Sequence, residues 1–186
     1  MKTRDRILNE SIKLFAENGF EGTSMASIAK LIGVTKPSLY AHYENKLDLF
    51  EACLDKISLD QIEFTKGILN NPDVDTAEEK LYSLIKDCSL MVNDSTFTFY
   101  NRFYFLPPLE LKETIEEKLA ISTNKCYELI IDTIHDAINS GEIERSLSEE
   151  EVASTYICIM NGVGCNAGSY NNLDYIWKIF WRGVGS

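Results

Sequence analysis

The chain has no apolar run approaching the roughly 18 residues that a membrane-spanning helix needs. Its opening stretch, MKTRDRILNESIKLF, is charged throughout, which argues against a secretory leader and for a cytoplasmic protein. Five cysteines, Cys53, Cys88, Cys126, Cys158 and Cys165, form an odd set with no CxxC pair. A disulfide framework and a structural zinc site are therefore not expected, and the five read as small buried hydrophobes. The two histidines, His42 and His135, lie too far apart in sequence to suggest a metal pair. No Ser/His pairing, HExxH, glycine-rich phosphate loop or carboxylate pair in a suitable context occurs, so neither an enzyme nor a cofactor is expected. Proline is limited to Pro37, Pro72, Pro107 and Pro108, and no alternating strand with a hairpin turn stands out.

Positive charge is also scarce: 18 Lys/Arg stand against 29 Asp/Glu, a net charge of −11. The deficit is uneven. Residues 1–47 hold seven basic and five acidic residues, leaving eleven basic and twenty-four acidic for the rest. Only the N-terminal part is suited to approach a polyanion, because an acidic body is repelled by phosphate.

What is present is helical periodicity over 186 residues, of which 45% are hydrophobic. The pattern predicts an all-α protein of about nine helices. The first runs from about Thr3 to Asn18, with Ile7, Leu8, Ser11, Leu14 and Phe15 inward and Gly19 closing it. The second starts after Thr23 or Ser24 and ends near Leu31. The third opens at Thr35, with Pro37 in its first turn, where a missing N–H costs little. A fourth runs from near Asn45 to about Asn70. A fifth covers about Thr76 to Asn93, with Thr76 and Glu79 in a capping-box pattern. A sixth spans Thr96 to Phe105, before Pro107–Pro108. A seventh runs from Leu109 to Asn139, and an eighth follows Ser148, with Glu151 completing a second box and the helix continuing towards Ser169. The last runs from Leu173 to about Trp181.

Residues 23–46, TSMASIAKLIGVTKPSLYAHYENK, read as two short helices joined by a glycine-bearing turn. That is the helix-turn-helix pattern, which lays its second helix in the DNA major groove. Ala26, Ile28, Ala29 and Val34 read as packing residues, with Ala29 and Gly33 keeping the helices close. Leu39 faces inward. Thr23 and Ser24, at the start of the first helix, suit a phosphate oxygen. Thr35, Lys36, Ser38, Tyr40, His42 and Tyr43 are left for DNA. Lys36 suits a base edge or a base and phosphate together, and Tyr40, His42 and Tyr43 suit phosphate through their polar tips.

Over RILNESIKLFAENGFEGTSMASIAKLIGVTKPSLYAHYENKLDLF, positions 6–50, the chain resembles the TetR family of transcriptional repressors. The resemblance implies a DNA-binding domain at 1–46 and a ligand-sensing and dimerisation domain at 47–186. Lys46 then resembles the family's phosphate-contacting lysine. It also implies a homodimer on a palindromic operator in double-stranded DNA, an inverted repeat, released by a small-molecule inducer. The last two helices, apolar on more than one face and rich in small residues such as Gly162, Gly164, Ala167 and Gly168, are the expected pairing surface. Tyr156, Met160, Val163, Trp177, Phe180 and Trp181 are its candidate residues. The run Phe97–Phe105 carries six aromatics in nine positions. It reads either as a packed helix or as the wall of a cavity for a largely apolar inducer, lined by Phe99, Tyr100, Asn101, Phe103 and Tyr104. The alternative function is a helical regulator that answers to oxidation or a protein partner in place of a small ligand.

Overall fold

A computed structural model describes residues 3–91, 94–166 and 172–186, with only the backbone described at 164–166. Among these residues are nine α-helices and no strand. They are α1 (Thr3–Asn18), α2 (Met25–Ile32), α3 (Lys36–Tyr40), α4 (Lys46–Leu69), α5 (Ala77–Leu90), α6 (Ser95–Phe105), α7 (Lys112–Ser140), α8 (Glu149–Asn166) and α9 (Leu173–Val184). One 3₁₀ turn at Leu109–Leu111 precedes α7 where the sequence pattern anticipates α-helix. The expected extensions of the fifth helix to Asn93 and of the eighth to Ser169, like Ala167 and Gly168, lie outside the described residues. So do the side chains of Gly164 and Cys165.

The chain divides into two compact units that do not follow the expected boundary at 46/47. The first comprises Met1–Asp60 and Asn93–Ser122, the second Gln61–Val92 and Thr123–Ser186. Both α4 and α7 contribute to each unit.

The core of the first unit explains the division. Ile7, Ile12, Phe15, Ile28, Leu39, Phe50 and Leu54 are buried together with Phe99 and Phe103 of α6 and Ile115 and Leu119 of α7. Phe50 is its hub, with ring centroids 5.1 Å from Phe15, 5.1 Å from Phe20 and 4.8 Å from Phe103. The spacing Phe99/Phe103, four apart, puts both rings on one face of α6, and that face packs into the head. This corrects the cavity-wall reading for Phe99 and Phe103, whose rings are fully spent on core packing. Arg102 fastens α6 to α1: its Nη1 donates to the carbonyls of Ala16 (3.0 Å) and Glu17 (3.2 Å). A cation at a helix C-terminus satisfies orphan carbonyls and opposes the negative end of the helix dipole.

In the second unit, Leu81, Leu84 and Ile85 of α5 pack with Ile130 and Ile134 of α7, Val152 and Tyr156 of α8, and Trp177 and Phe180 of α9. The Tyr156 hydroxyl donates to the Leu81 carbonyl at 2.8 Å. The Trp177 and Trp181 rings stack at 5.5 Å. Ser148 and Glu151 form the expected capping box: the Glu151 N–H donates to Ser148 Oγ, and the Ser148 N–H to Glu151 Oε2. At α5 the box is half made. Thr76 Oγ1 accepts from the Glu79 N–H, while Glu142 Oε2 accepts from the Ala77 N–H at 2.8 Å.

Two expectations are corrected here. Tyr156, Val163, Trp177 and Phe180 are buried within one chain, so their surface is not available to a second copy. Met160 and Trp181 are half-buried. Of the described cysteine side chains, Cys53 and Cys126 are buried and Cys88 is partly so, whereas Cys158 is exposed.

Candidate nucleic-acid interface

The motif is built by local rules. In α2, Met25, Ile28, Ala29 and Ile32 are buried, the i, i+3, i+4, i+7 spacing of a single inward stripe. Ser24 is the N-cap: its Oγ accepts from the Ser27 N–H at 3.1 Å, and Ser27 Oγ accepts from the Ser24 N–H at 3.0 Å. This is a reciprocal box made by two serines, a variant the Glu/Gln-based pattern does not flag. At the other end Gly33 sits at φ +73° and returns its N–H to the last turn. No atom lies within 4 Å of the place a Cβ would occupy there. Glycine is therefore demanded by backbone conformation, not by the close helix approach expected of it.

Thr35 caps α3 by accepting from the Ser38 N–H at 3.3 Å, and Pro37 lies in the first turn. The helix ends at Tyr40, before His42 and Tyr43. Residues 41–43 continue as a turn, with the His42 and Tyr43 N–H groups both donating to the Leu39 carbonyl. Leu39 is fully buried, while Thr35, Lys36, Ser38, Tyr40 (50% exposed) and His42 all face solvent. The helix, its cap and the turn after it thus present five polar or amphipathic side chains around one apolar anchor.

Other expected contacts change. Thr23 is buried, its hydroxyl donating to the carbonyls of Gly19 (2.8 Å) and Leu14 (3.2 Å). It closes the turn between α1 and α2, and Ser24 alone stays at the exposed helix start. Tyr43 is 3% exposed and belongs to the core. Ala26, read as a packing residue, is exposed. Lys46 is partly buried, its Nζ donating to the Phe20 carbonyl at 2.9 Å and standing 4.0 Å from the Phe20 ring centroid.

Two residues missed by the sequence reading brace the motif from α1. Arg6 Nη2 donates to the Ile32 carbonyl at 2.6 Å, capping the end of α2. Arg4 Nε donates to the Tyr43 hydroxyl at 3.4 Å. That bond, then the charges of Asp48 and Asp5, holds the Arg4 guanidinium above its ordinary value. Only the clustering of positive charge near the N-terminus hinted at them.

The remaining inducer candidates sit on α6. Tyr100 is partly buried and stacks on Tyr104 at 5.1 Å; Asn101 is partly buried as well. A separate cleft of about 360 Å³ lies within the second unit, lined by Leu69, Ala77 and Leu129 but also by Asp75, Asp132 and Asp136. It is acidic and contains none of the expected pocket residues.

A capped helix, a left-handed glycine turn and a short second helix with a polar outer face define a helix-turn-helix DNA-binding head. Residues 7–53 match the family described as bacterial regulatory proteins, tetR family. The chain is 28% identical over 144 residues to the biofilm operon icaADBC HTH-type negative transcriptional regulator IcaR of Staphylococcus epidermidis, covering 75% of each chain. Among solved structures it resembles a TetR-family transcriptional regulator from Agrobacterium tumefaciens, with a TM-score of 0.78 and 15% identity over 99% of this chain and 98% of that one. It also resembles the transcriptional regulator FadR from Bacillus subtilis in complex with stearoyl-CoA, with a TM-score of 0.69 and 23% identity over 96% and 95%. Residues 7–53 thus carry the segment that defines the tetR family of bacterial regulatory proteins, and over most of its length the chain is similar to a transcriptional regulator. No described helix is long and apolar enough to cross a membrane.

Proposed function

We propose that this protein is a cytoplasmic repressor that binds an inverted repeat in double-stranded DNA as a homodimer and is released by a small, largely apolar inducer. The observation that carries the reading is the outer surface of α3, its cap and the turn after it, where Thr35, Lys36, Ser38, Tyr40 and His42 are exposed around a buried Leu39. Lys36 has the reach to donate to guanine O6/N7. Ser24, Tyr40 and His42 contact phosphates, which set register. Lys46, already bonded to Phe20, adds its remaining donors to phosphate and couples α4 to the head.

A head this small reads few base pairs, so pairing two chains is what gives a long enough site. Exposed Tyr175 (67%) and Ile179 (74%) on α9 form the pairing surface with half-buried Met160 and Trp181. Large apolar side chains left open on adjoining helices are the expected mark of such a surface. The inducer acts by preferring one spacing of the two heads, and its differential affinity for the two states sets how far DNA is released. Repression by the staphylococcal relative and the acyl-CoA bound to the Bacillus structure support this reading.

The oxidation alternative is weakened at three of the four described thiols and rests on exposed Cys158. Burial raises the Cys53, Cys88 and Cys126 thiols, Cys88 to about 12, which disfavours the reactive thiolate.

The test is DNA binding by wild type and Lys36→Ala across a panel of operator variants, with sedimentation of Ile179→Asp. We expect relaxed base preference in the first and monomers in the second. A uniform loss across sequences would reduce Lys36 to a phosphate contact, and an unchanged oligomeric state would remove α9 from the interface.

A further inference from the structure

Arg4 and Arg6 reach from the start of α1 to the two helices of the motif, but they end differently. Arg6 is consumed in capping α2 through the Ile32 carbonyl. Arg4 uses its Nε on the hydroxyl of Tyr43, the third residue after α3. The Tyr43 ring is buried in the core, so the hydroxyl is fixed in place and orients the guanidinium bonded to it. Arg4 itself remains exposed. A guanidinium is a planar fork of five donors, and a bond at Nε leaves the Nη edge for a bidentate oxyanion. Asp5 and Asp48 are the carboxylates that face it electrostatically. Asp48 is itself engaged, its Oδ2 accepting from the Glu44 N–H at 2.8 Å. Exposed His42 immediately precedes Tyr43 in the turn that follows α3, so Arg4 is tied to that turn. Lys46, the cation expected to serve phosphate at this end, has its charge partly buried against Phe20.

We propose that Arg4 is a phosphate ligand of the DNA-binding head, held by the Tyr43 hydroxyl so that its Nη edge meets the DNA backbone beside the end of α3. The inference rests on the DNA-binding reading above. Arg4 acts on every sequence alike, because phosphate carries no base identity. It also ties α1 to the end of α3, so DNA contact at Arg4 tightens the placement of the recognition helix.

The test is fluorescence anisotropy with a labelled random-sequence duplex of about three helical turns, titrated across salt concentration. Arg4→Gln keeps a donor for Tyr43 and loses the charge; Arg4→Lys keeps the charge and loses the fork; Tyr43→Phe removes the hydroxyl. Each phosphate neutralised contributes about 0.9 to the slope of log K against log salt. Arg4→Gln removes one phosphate contact from each head of the homodimer, so it is expected to flatten the slope by about 1.8, which makes binding roughly thirtyfold weaker at 0.15 M salt when referred to 1 M. Arg4→Lys is expected to keep the slope, and Tyr43→Phe to weaken binding with the slope retained. Circular dichroism confirms that each variant is folded, and Arg4→Lys serves as the charge-retaining reference if Arg4→Gln is not. A salt-dependent wild type with an unchanged slope in Arg4→Gln, or a slope lost equally in Arg4→Lys, would overturn the assignment while leaving the DNA-binding reading intact. A wild type that binds no duplex at any salt would overturn both.

Discussion

Truncating Phe103 separates the two readings of the aromatic helix α6. If its ring lined an inducer cavity, removing it would enlarge a space already present and cost little. The structure gives it 1% exposure, with ring centroids 4.8 Å from Phe50 and 4.7 Å from Phe99. Phe→Ala in a closed core costs about 3–5 kcal/mol from lost transfer energy and the cavity left behind. Two edge-type or tilted aromatic contacts, worth about 0.5–1.5 kcal/mol each, are lost with it and place Phe103 at the upper part of that range. Tyr104, one residue along and 37% exposed, is the control, with an expected cost below about 1 kcal/mol for Tyr104→Ala. At roughly 2–4 °C per kcal/mol for a chain of this length, Phe103→Ala should lower Tm by about 10 °C or more and Tyr104→Ala by a few degrees. Thermal and urea unfolding followed by circular dichroism read both. A Phe103→Ala loss within 1 kcal/mol of wild type, or equal losses in the two variants, would refute the core assignment.

Two further outcomes follow from local chemistry. Gly33→Ala places a Cβ in open space but at φ +73°, so it should destabilise by about 1–2 kcal/mol; Gly67→Ala, exposed in the last turn of α4 with an ordinary φ, should instead stabilise by about 0.5 kcal/mol, and the opposite signs are read by urea midpoint. His135 pairs with Glu149, and that hydrogen bond, followed by the charges of Glu149, Asp136 and Asp132, raises its pKa above 6.5. The pairing therefore stabilises the fold fully below the unfolded value near 6.5 and fades as pH rises through the higher folded value. Glu149→Gln should move the His135 titration, followed by NMR, back towards 6.5; a titration that stays raised would assign the shift to Asp132 and Asp136.

Much of the head was legible because its signals are local. Thr35, Pro37 and Gly33 act within one turn of the backbone, and the apolar spacing of α2 needs no partner to be read. The failures are long-range. Nothing near Tyr43 in sequence marks it as buried, since its partners are Arg4 and the core beneath α1. Thr23 looks like a cap because threonine caps helices, yet its hydroxyl is drawn to the carbonyls of Leu14 and Gly19. Phe99 and Phe103 are aromatic in either reading; only the packing of α6 against Phe50 decides between wall and core. Tyr156, Trp177 and Phe180 show the same limit, because an all-apolar helix does not say whether its own chain or a second copy covers each face. The divided units were illegible for that reason too: α6 is distant in sequence from the head whose core it completes.

The most direct measurement is selection of bound sequences by the purified, folded protein from a random double-stranded DNA pool at physiological salt. The account predicts recovery of a single inverted repeat whose half-sites are spaced by about one or more helical turns. A pool that emerges unenriched would contradict a dimeric, sequence-reading regulator.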